Sequence, residues 1–527
     1  MKNITIRFVF TLVSVFCSIS IVSAQVSSNE VDKLVDNAMV KFNVAGAAIG
    51  IVKDGKIIHA KGYGVTSSET NKRVDAHTNF AIASNSKAFT TTALAILVEE
   101  GKLSWQDKVK DHIPEFKMYN SYVTENFNIQ DLLTHRSGLG LGVGDLMFFP
   151  DGADFTIKDV LASFQYFEPQ SAFRTKFDYD NLLYFVAGEI IARVSGMSWE
   201  DFVEKRIMQP LNMDNTYGAL SRMKDKNNLA TAHSSSSEKI RTIDSYEMMI
   251  NGAAGGIISN VDDLCNWMLV HLNKGKYGNN LERQLFTEAS QNEMWKIHTS
   301  LNVNKNPRYN SHFAGYGLGW GLTDVKGNML VSHTGGLPGM LSKTNLIPDL
   351  NLGIVVLTNT EPGGSALFSA VSQTIIDSYL NLDDFHWVDK YYQKMKETLE
   401  NADSVTKKVW ETVSTADDSH LKKEDYLGVY KDNWFGKVEV FMNGNKLWFK
   451  SHRSPKLNGP MSYYKANTFA IKWEYQDMNA DAFAIFSLDE NGVAQSITMK
   501  GISPNIDFSF DFQDLDLKRV NELKANH

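Results

Sequence analysis

Three short groups of residues carry side chains able to perform nucleophilic catalysis: Ser84-Asn85-Ser86-Lys87, Tyr179-Asp180-Asn181 and His333-Thr334-Gly335-Gly336, in that order. A serine hydroxyl is a weak nucleophile until a base takes its proton or a nearby positive charge lowers its pKa. The Ser-x-x-Lys spacing puts Ser84 and Lys87 one helical turn apart on one face, within side-chain reach. A helix start adds free N–H groups and partial positive charge, which favour an alkoxide or an oxyanion. A tyrosine beside a lysine can titrate low enough to act as a base. An asparagine can bond both a substrate carbonyl and an amine. Glycines after His333 and Thr334 let a substrate backbone lie along the strand as an added strand. The N–H of Gly336 can then pair with that of Ser84 to hold an oxyanion.

Context separates these groups from chance matches. Ser-x-x-Lys occurs six times, starting at Ser84, Ser221, Ser236, Ser404, Ser419 and Ser462, and only the first opens into an apolar helix pattern. Tyr-x-Asn recurs at Tyr277, in a loop rich in Gly, Asn and Lys. The chain has no G-x-S-x-G nucleophile elbow and no H-E-x-x-H zinc motif. Two cysteines cannot build a thiolate cage, and the 13 histidines show no ligand spacing. The residues themselves point to no metal site.

The elements that must position these residues are legible as patterns. Residues 47–52 and 57–65 flank an Asp54-Gly55 turn and read as a β-hairpin. Residues 88–98 are apolar nearly all round and stop at Gly101, the pattern of a buried helix with a glycine stop. Residues 180–210 and 261–272 read as further helices. From Tyr316 the period changes to strands, at 316–322, 329–334, 342–347 and 353–358. Strand, many helices, then strands implies one α+β unit whose sheet is completed by its later part. Residues 383–424 are charged and helical in pattern, a connector without strong apolar faces. Residues 425–527, with turns at Asn443-Gly444 and Asn491-Gly492, read as a small all-β domain.

Composition sets the frame. The 527 residues carry 53 Lys+Arg and 61 Asp+Glu, a formal charge of −8, which argues against bulk nucleic-acid binding. Residues 1–24 have the pattern of an export signal: Lys2 and Arg7, an apolar run, then Val22-Ser23-Ala24. Its removal leaves Cys265 as the one cysteine and no segment able to span a membrane. The expected location is periplasmic or secreted.

Taken in order, the three groups resemble those of the serine β-lactamase-like hydrolases, in the branch of class C β-lactamases, DD-peptidases, D-aminopeptidases and related esterases. Leu132-Leu133-Thr134-His135-Arg136-Ser137-Gly138-Leu139, Gly255-Gly256-Ile257-Ile258-Ser259 and Tyr316-Gly317-Leu318-Gly319-Trp320 support it. The resemblance covers roughly residues 30–380. It implies a β-lactamase/penicillin-binding-protein-like fold, an antiparallel sheet with flanking helices plus a helical region, over 25–382. It makes Ser84 the acylated nucleophile, Lys87 its activator and Tyr179 the general base for acylation and acid for the leaving group. Asn181, His333 and Thr334 would contact substrate, and the N–H groups of Ser84 and Gly336 would form the oxyanion hole. Which of Lys87 and Tyr179 takes the proton is open at this level. The resemblance implies neither a metal nor an organic cofactor. The substrate implied is a small peptide, amide or ester, D-amino-acid peptides among them; no oligomeric state is implied.

His333 departs from the lysine of class C β-lactamases, and a neutral imidazole attracts a substrate carboxylate less than an ammonium does. That lowers β-lactam hydrolysis without excluding it. A sensor that acylates without turnover is the other reading. His333 could instead bond only Tyr179 or Lys87, and His135 is expected to fix a loop below the site. Phe148, Phe149 and Trp320 are expected in the core rather than in a pocket. For the C-terminal domain, packing is favoured over a loop that covers the mouth.

Overall fold

The computed structural model describes residues 25–236, 239–248 and 250–520; the expected export signal and residues 521–527 lie outside them. Helix α1 (Ser28–Phe42) opens on a Ser27/Glu30 capping box. The hairpin follows as β1 (Gly46–Lys53) and β2 (Lys56–Gly64), with Asp54 and Gly55 both at positive φ, as a tight two-residue turn requires. The helices α2 (Ser86–Glu99), α3 (Leu182–Ser195) and α4 (Val261–Leu272) come next. Six strands complete the sheet: β3 (Thr299–Ser300), β4 (Ala314–Tyr316), β5 (Gly321–Val325), β6 (Asn328–Leu337), β7 (Met340–Ile347) and β8 (Leu352–Thr358). Their order is β2-β1-β8-β7-β6-β5-β4-β3, antiparallel throughout, so the first hairpin joins the last strand.

Both faces of the sheet centre are covered. Ala47, Ile49 and Ile51 of β1 share a core with Val31 and Val35 of α1 and with Leu367 and Val371 of α5 (Gly363–Tyr379). Ala48 and Val52 point the other way, into the core that holds α2, α3 and α4. At Gly50 an added Cβ would lie 2.9 Å from Cys265 Sγ, which lets α4 pack flat on β1. The stretch 316–322, expected as one strand, is two. Strand β4 stops at Tyr316, and a reversal with Gly319 at φ +77° leads into β5. A Cβ on Gly319 would meet Thr91 Oγ1 at 2.7 Å and the Lys87 carbonyl at 3.0 Å, so the turn nests on α2.

The connector is the 29-residue helix α6 (Trp387–Thr415), and it has more apolar contact than its composition suggests. Trp387 and Val388 join the α1/α5 core, while Val409, Trp410 and Val413 pack against Phe483 and Ile502. The C-terminal strands are β9 (Gly428–Asp432), β10 (Gly436–Asn443), β11 (Lys446–Ser451), β12 (Asn458–Lys465), β13 (Thr468–Ile471), β14 (Ala482–Leu488), β15 (Ala494–Gly501) and β16 (Leu517–Val520). They form a closed barrel, β16 pairing with β9. The barrel docks on the helical region through Phe435 on Phe155, Trp434 on Phe167 and Phe510 on Phe149. Arg453 adds ion pairs to Asp154 (2.7 Å) and Asp159 (2.8 Å). Among the described residues no helix is long and apolar enough to cross a membrane.

Candidate active site

Ser84 sits in a single 3₁₀ turn (Ala83–Asn85) that runs straight into α2, rather than within the α-helix itself. Ala83 before it has φ +48°, a left-handed conformation unfavourable to a residue with a Cβ. The turn is held by its surroundings: Asn85 Nδ2 donates to Ser342 Oγ (2.8 Å), and Ser342 Oγ donates to Ile82 O (2.7 Å). Gly335 makes this approach possible. A Cβ there would lie 2.1 Å from Ile82 O and 2.5 Å from Ser342 Oγ. Gly335→Ala is expected to cost about 1–3 kcal/mol of stability by overpacking. Because it pushes on the Ser84 turn, activity should fall more than tenfold in enzyme that remains folded; thermal unfolding and hydrolysis assays check the two effects separately.

Lys87 is fully buried behind Ser84 and does not line the cavity. Its Nζ lies 3.1 Å from Ser84 Oγ, 2.7 Å from Asn181 Oδ1 and 2.8 Å from Ala254 O. Burial pushes its pKa down to about 7, against the opposing pull of Asp145 and Asp180. An ammonium donates all three of its hydrogens to these oxygens. A neutral amine donates two, to the two acceptor-only oxygens, and turns its lone pair to the Ser84 hydroxyl. The site therefore holds a lysine that is competent as a base near neutral pH.

Tyr179 differs. Its Oη is buried without a hydrogen-bond partner among the described residues. Burial raises its pKa well above the ordinary phenol value, although the nearby Ser84 hydroxyl works in the opposite direction. Lys87 Nζ stands 4.8 Å from its ring centroid, and the His135 ring stacks on it at 4.2 Å. His135 also accepts the Asp180 N–H at Nδ1 (3.0 Å), so it fixes the loop carrying Tyr179 and Asn181, as expected. Burial keeps His135 well below its ordinary pKa.

His333 does not bond Tyr179 or Lys87. Its Nδ1 lies 2.6 Å from Thr334 O, and since a carbonyl only accepts, the proton is on Nδ1. Nε2 then accepts from Tyr316 Oη at 2.8 Å. Burial, helped by the charge on Lys87, holds its pKa down to about 3, so the imidazole is neutral. Strand β5 pairs with β6 only as far as Ser332, so His333 to Leu337 run on past it at the cavity.

A cavity of about 360 Å³ is lined by Ser84, Tyr179, Asn181, His333, Thr334, Gly335 and Gly336, which brings every expected site residue except Lys87 to its surface. Phe148 and Phe149 belong to the core, as expected, and also line this cavity, whereas Trp320 is buried against His271. One expectation is corrected here. The C-terminal domain does more than pack, for Asp507, Phe508 and Ser509 from its loop between β15 and β16 also line the cavity. Phe508 meets the Tyr179 ring edge-on at 5.9 Å.

Sequence reasoning missed Asp145. It is fully buried, and its Oδ2 accepts from Asn181 Nδ2 (2.8 Å) and Ser509 Oγ (2.8 Å). Burial raises its pKa well above the carboxylate range. A signal existed, since Asp145 is the one charged residue in the apolar, glycine-rich run 138–149. Among the described residues no cluster of three or more His, Cys, Asp or Glu could hold a metal ion.

Comparison with known proteins agrees with this construction. The Beta-lactamase family model matches residues 31–371, and a domain of unknown function, DUF3471, matches residues 414–519. The unguisins hydrolase ungD' of Aspergillus campestris is 26% identical over 392 residues, 70% of each chain. Protein flp of Staphylococcus aureus is 28% identical over 333 residues, 63% of each chain. The octameric penicillin-binding protein homologue from Pyrococcus abyssi superposes with a TM-score of 0.59 at 20% identity, covering 93% of this chain and 99% of that one. With its matching segment laid over the sheet, the Ser84 turn and the cavity between them, the chain belongs to the beta-lactamase family.

Proposed function

We propose that the protein hydrolyses a small peptide, amide or ester through an acyl-enzyme on Ser84. The observation that carries this reading is the setting of Lys87: a buried amine with a pKa near 7, 3.1 Å from the Ser84 hydroxyl. Neutral Lys87 takes the Ser84 proton as Oγ attacks the scissile carbonyl. The N–H groups of Ser84 and Gly336, both at the cavity wall, hold the oxyanion. Tyr179, kept protonated by burial, then gives its proton to the leaving nitrogen or oxygen and regains one from Lys87. Water repeats the sequence on the acyl-enzyme. This assigns the acylation base to Lys87 and leaves Tyr179 the acid. Asn181 orients the acyl group, and His333 and Thr334 form the sheet side of the pocket.

The relative named an unguisins hydrolase supports hydrolysis as the activity. Neutral His333 supplies no cation for a substrate carboxylate, which favours peptides, amides and esters over β-lactams. The pattern of residues 1–24 supports export to the periplasm or medium. The test is a panel of p-nitrophenyl esters, D- and L-aminoacyl anilides, a D-Ala-D-Ala peptide and nitrocefin, with a fluorophosphonate adduct mapped by mass spectrometry. Turnover of an ester or anilide above nitrocefin, with the adduct on Ser84, is the expected result. An adduct on another residue would overturn the assignment, and a burst without turnover would replace the hydrolase by a sensor.

A further inference from the structure

We propose that Ser509, a residue of the C-terminal barrel, is a positioning residue of the active site: through Asp145 it fixes the Asn181 amide that holds Lys87 against Ser84. The proposal rests on the hydrolase reading above and extends it to a second part of the chain. The chain of contacts is continuous. Ser509 Oγ donates to Asp145 Oδ2 at 2.8 Å, Asn181 Nδ2 donates to the same oxygen at 2.8 Å, and Asn181 Oδ1 accepts from Lys87 at 2.7 Å. Lys87 reaches Ser84 Oγ at 3.1 Å.

Each link sets the direction of the next. The Asn181 amide has two distinguishable ends, and only one orientation presents N–H to the carboxylate and oxygen to the amine. A reversed amide would face oxygen with oxygen and N–H with ammonium. The carboxylate enforces that orientation only while Oδ2 is held as an acceptor, and the Ser509 hydroxyl supplies its second donor. Asp145 has no other protein donor to share the work, for Oδ1 is buried without a partner among the described residues.

The barrel loop is anchored for this purpose from both sides of Ser509. Asp511 accepts the N–H of Gly144 (2.6 Å) and of Leu146 (2.9 Å), gripping the turn that carries Asp145. The Ser509 N–H donates to Asp507 Oδ1 (2.9 Å). Gly142 lets the loop sit close, since a Cβ there would lie 2.8 Å from the Phe508 carbonyl. Ser509 is itself buried at the cavity edge.

Removal of the hydroxyl has a directional consequence. Asp145 without its second donor protonates more readily, which takes negative charge away from Lys87 and makes the amine less basic. The other titratable groups facing Lys87 are Asp180, Tyr179 and Tyr184 around α3, His135 on its turn and His333 on β6; none of them touches Ser509. The acid limb of the acylation profile should therefore move to lower pH, while the plateau falls as Asn181 loses its fixed orientation.

The test measures the rate of fluorophosphonate acylation against pH on the full chain, for the unchanged protein, Ser509→Ala, Ser509→Thr, Asp145→Asn and Ser509→Ala/Asp145→Asn. Ser509→Ala is expected to lower the plateau about tenfold and shift the limb downward by roughly half a pH unit or more, and Ser509→Thr to restore the limb's midpoint. The double variant should be little slower than Asp145→Asn alone, because both changes break one relay. A Ser509→Ala protein that is merely less well folded gives a lower plateau with an unmoved limb, and that result overturns the proposal, as does a double variant whose losses multiply. Failure of the unchanged protein to acylate at Ser84 would instead overturn the hydrolase reading on which the proposal stands.

Discussion

Ser84→Ala is expected to abolish covalent labelling by serine-directed probes and to lower hydrolysis by at least about 10⁴-fold. The size follows from what the cavity contains. Tyr179 is held protonated, and the imidazole of His333 is engaged at both nitrogens. The other serine at the wall, Ser509, has its hydroxyl committed to Asp145 and has no amine beside it. What survives is the pocket's ability to bind and polarise a carbonyl, which by itself supports slow attack by water. Stability should change by no more than about 1 kcal/mol, since Lys87 keeps its bonds to Asn181 and Ala254 after the hydroxyl is gone. Labelling of Ser84→Ala at the rate of the unchanged protein would remove Ser84 from the chemistry. Loss of labelling with an unaltered melting temperature would leave the nucleophile as the cause.

The proposed site residues were legible because their signals are local. Ser84 and Lys87 are one turn apart, and the apolar run after them announces burial; Lys87 is indeed enclosed on all sides. The hairpin was readable from Asp54-Gly55, and the barrel from Asn443-Gly444 and Asn491-Gly492, since these turns demand positive φ that few residues adopt. Two of the supporting stretches pack around Lys87: Ala254 O, just before Gly255-Gly256, accepts from its amine, and Gly319 lies on its backbone carbonyl.

What was not legible depends on pairings that leave no period in the chain. Ser509 and Asp145 are 364 residues apart, and neither segment alone shows that it has a partner. The break at 317–320 was hidden because alternation continues through it; the close approach of α2 forces the turn there. The positive φ of Ala83 has no sequence marker at all, because an alanine there must be held by neighbours rather than chosen for the conformation. The tyrosine that holds His333 is on β4, two strands away, so sequence spacing pointed instead to the motif partners.

Lys87→Met should slow acylation about 10³-fold and erase the acid limb of the rate profile. In the unchanged protein the base form of Lys87 is the neutral amine. Acylation is therefore present above its pKa of about 7 and lost as pH falls through that value, about tenfold per unit once the amine is mostly charged. A phenolate base at Tyr179 makes the opposite forecast. Burial raises that phenol well above its ordinary value of 10, so its limb would lie above pH 10 and the rate near neutrality would still be climbing. Methionine keeps the apolar stem of lysine and removes the amine. It leaves Asn181 Oδ1 and Ala254 O without their donor, a cost set against no longer burying an ionisable group. Stability and rate can thus be separated by measuring acylation per folded molecule, with the melting curve recorded alongside. A limb near pH 7 that persists in Lys87→Met would have to come from another group, Asp180 first, because burial pushes its carboxyl up to about 7 as well. Asp180→Asn distinguishes the two: with Lys87 as the base, Asp180→Asn keeps a limb but moves it to lower pH, since a negative neighbour that raised the amine's pKa is gone.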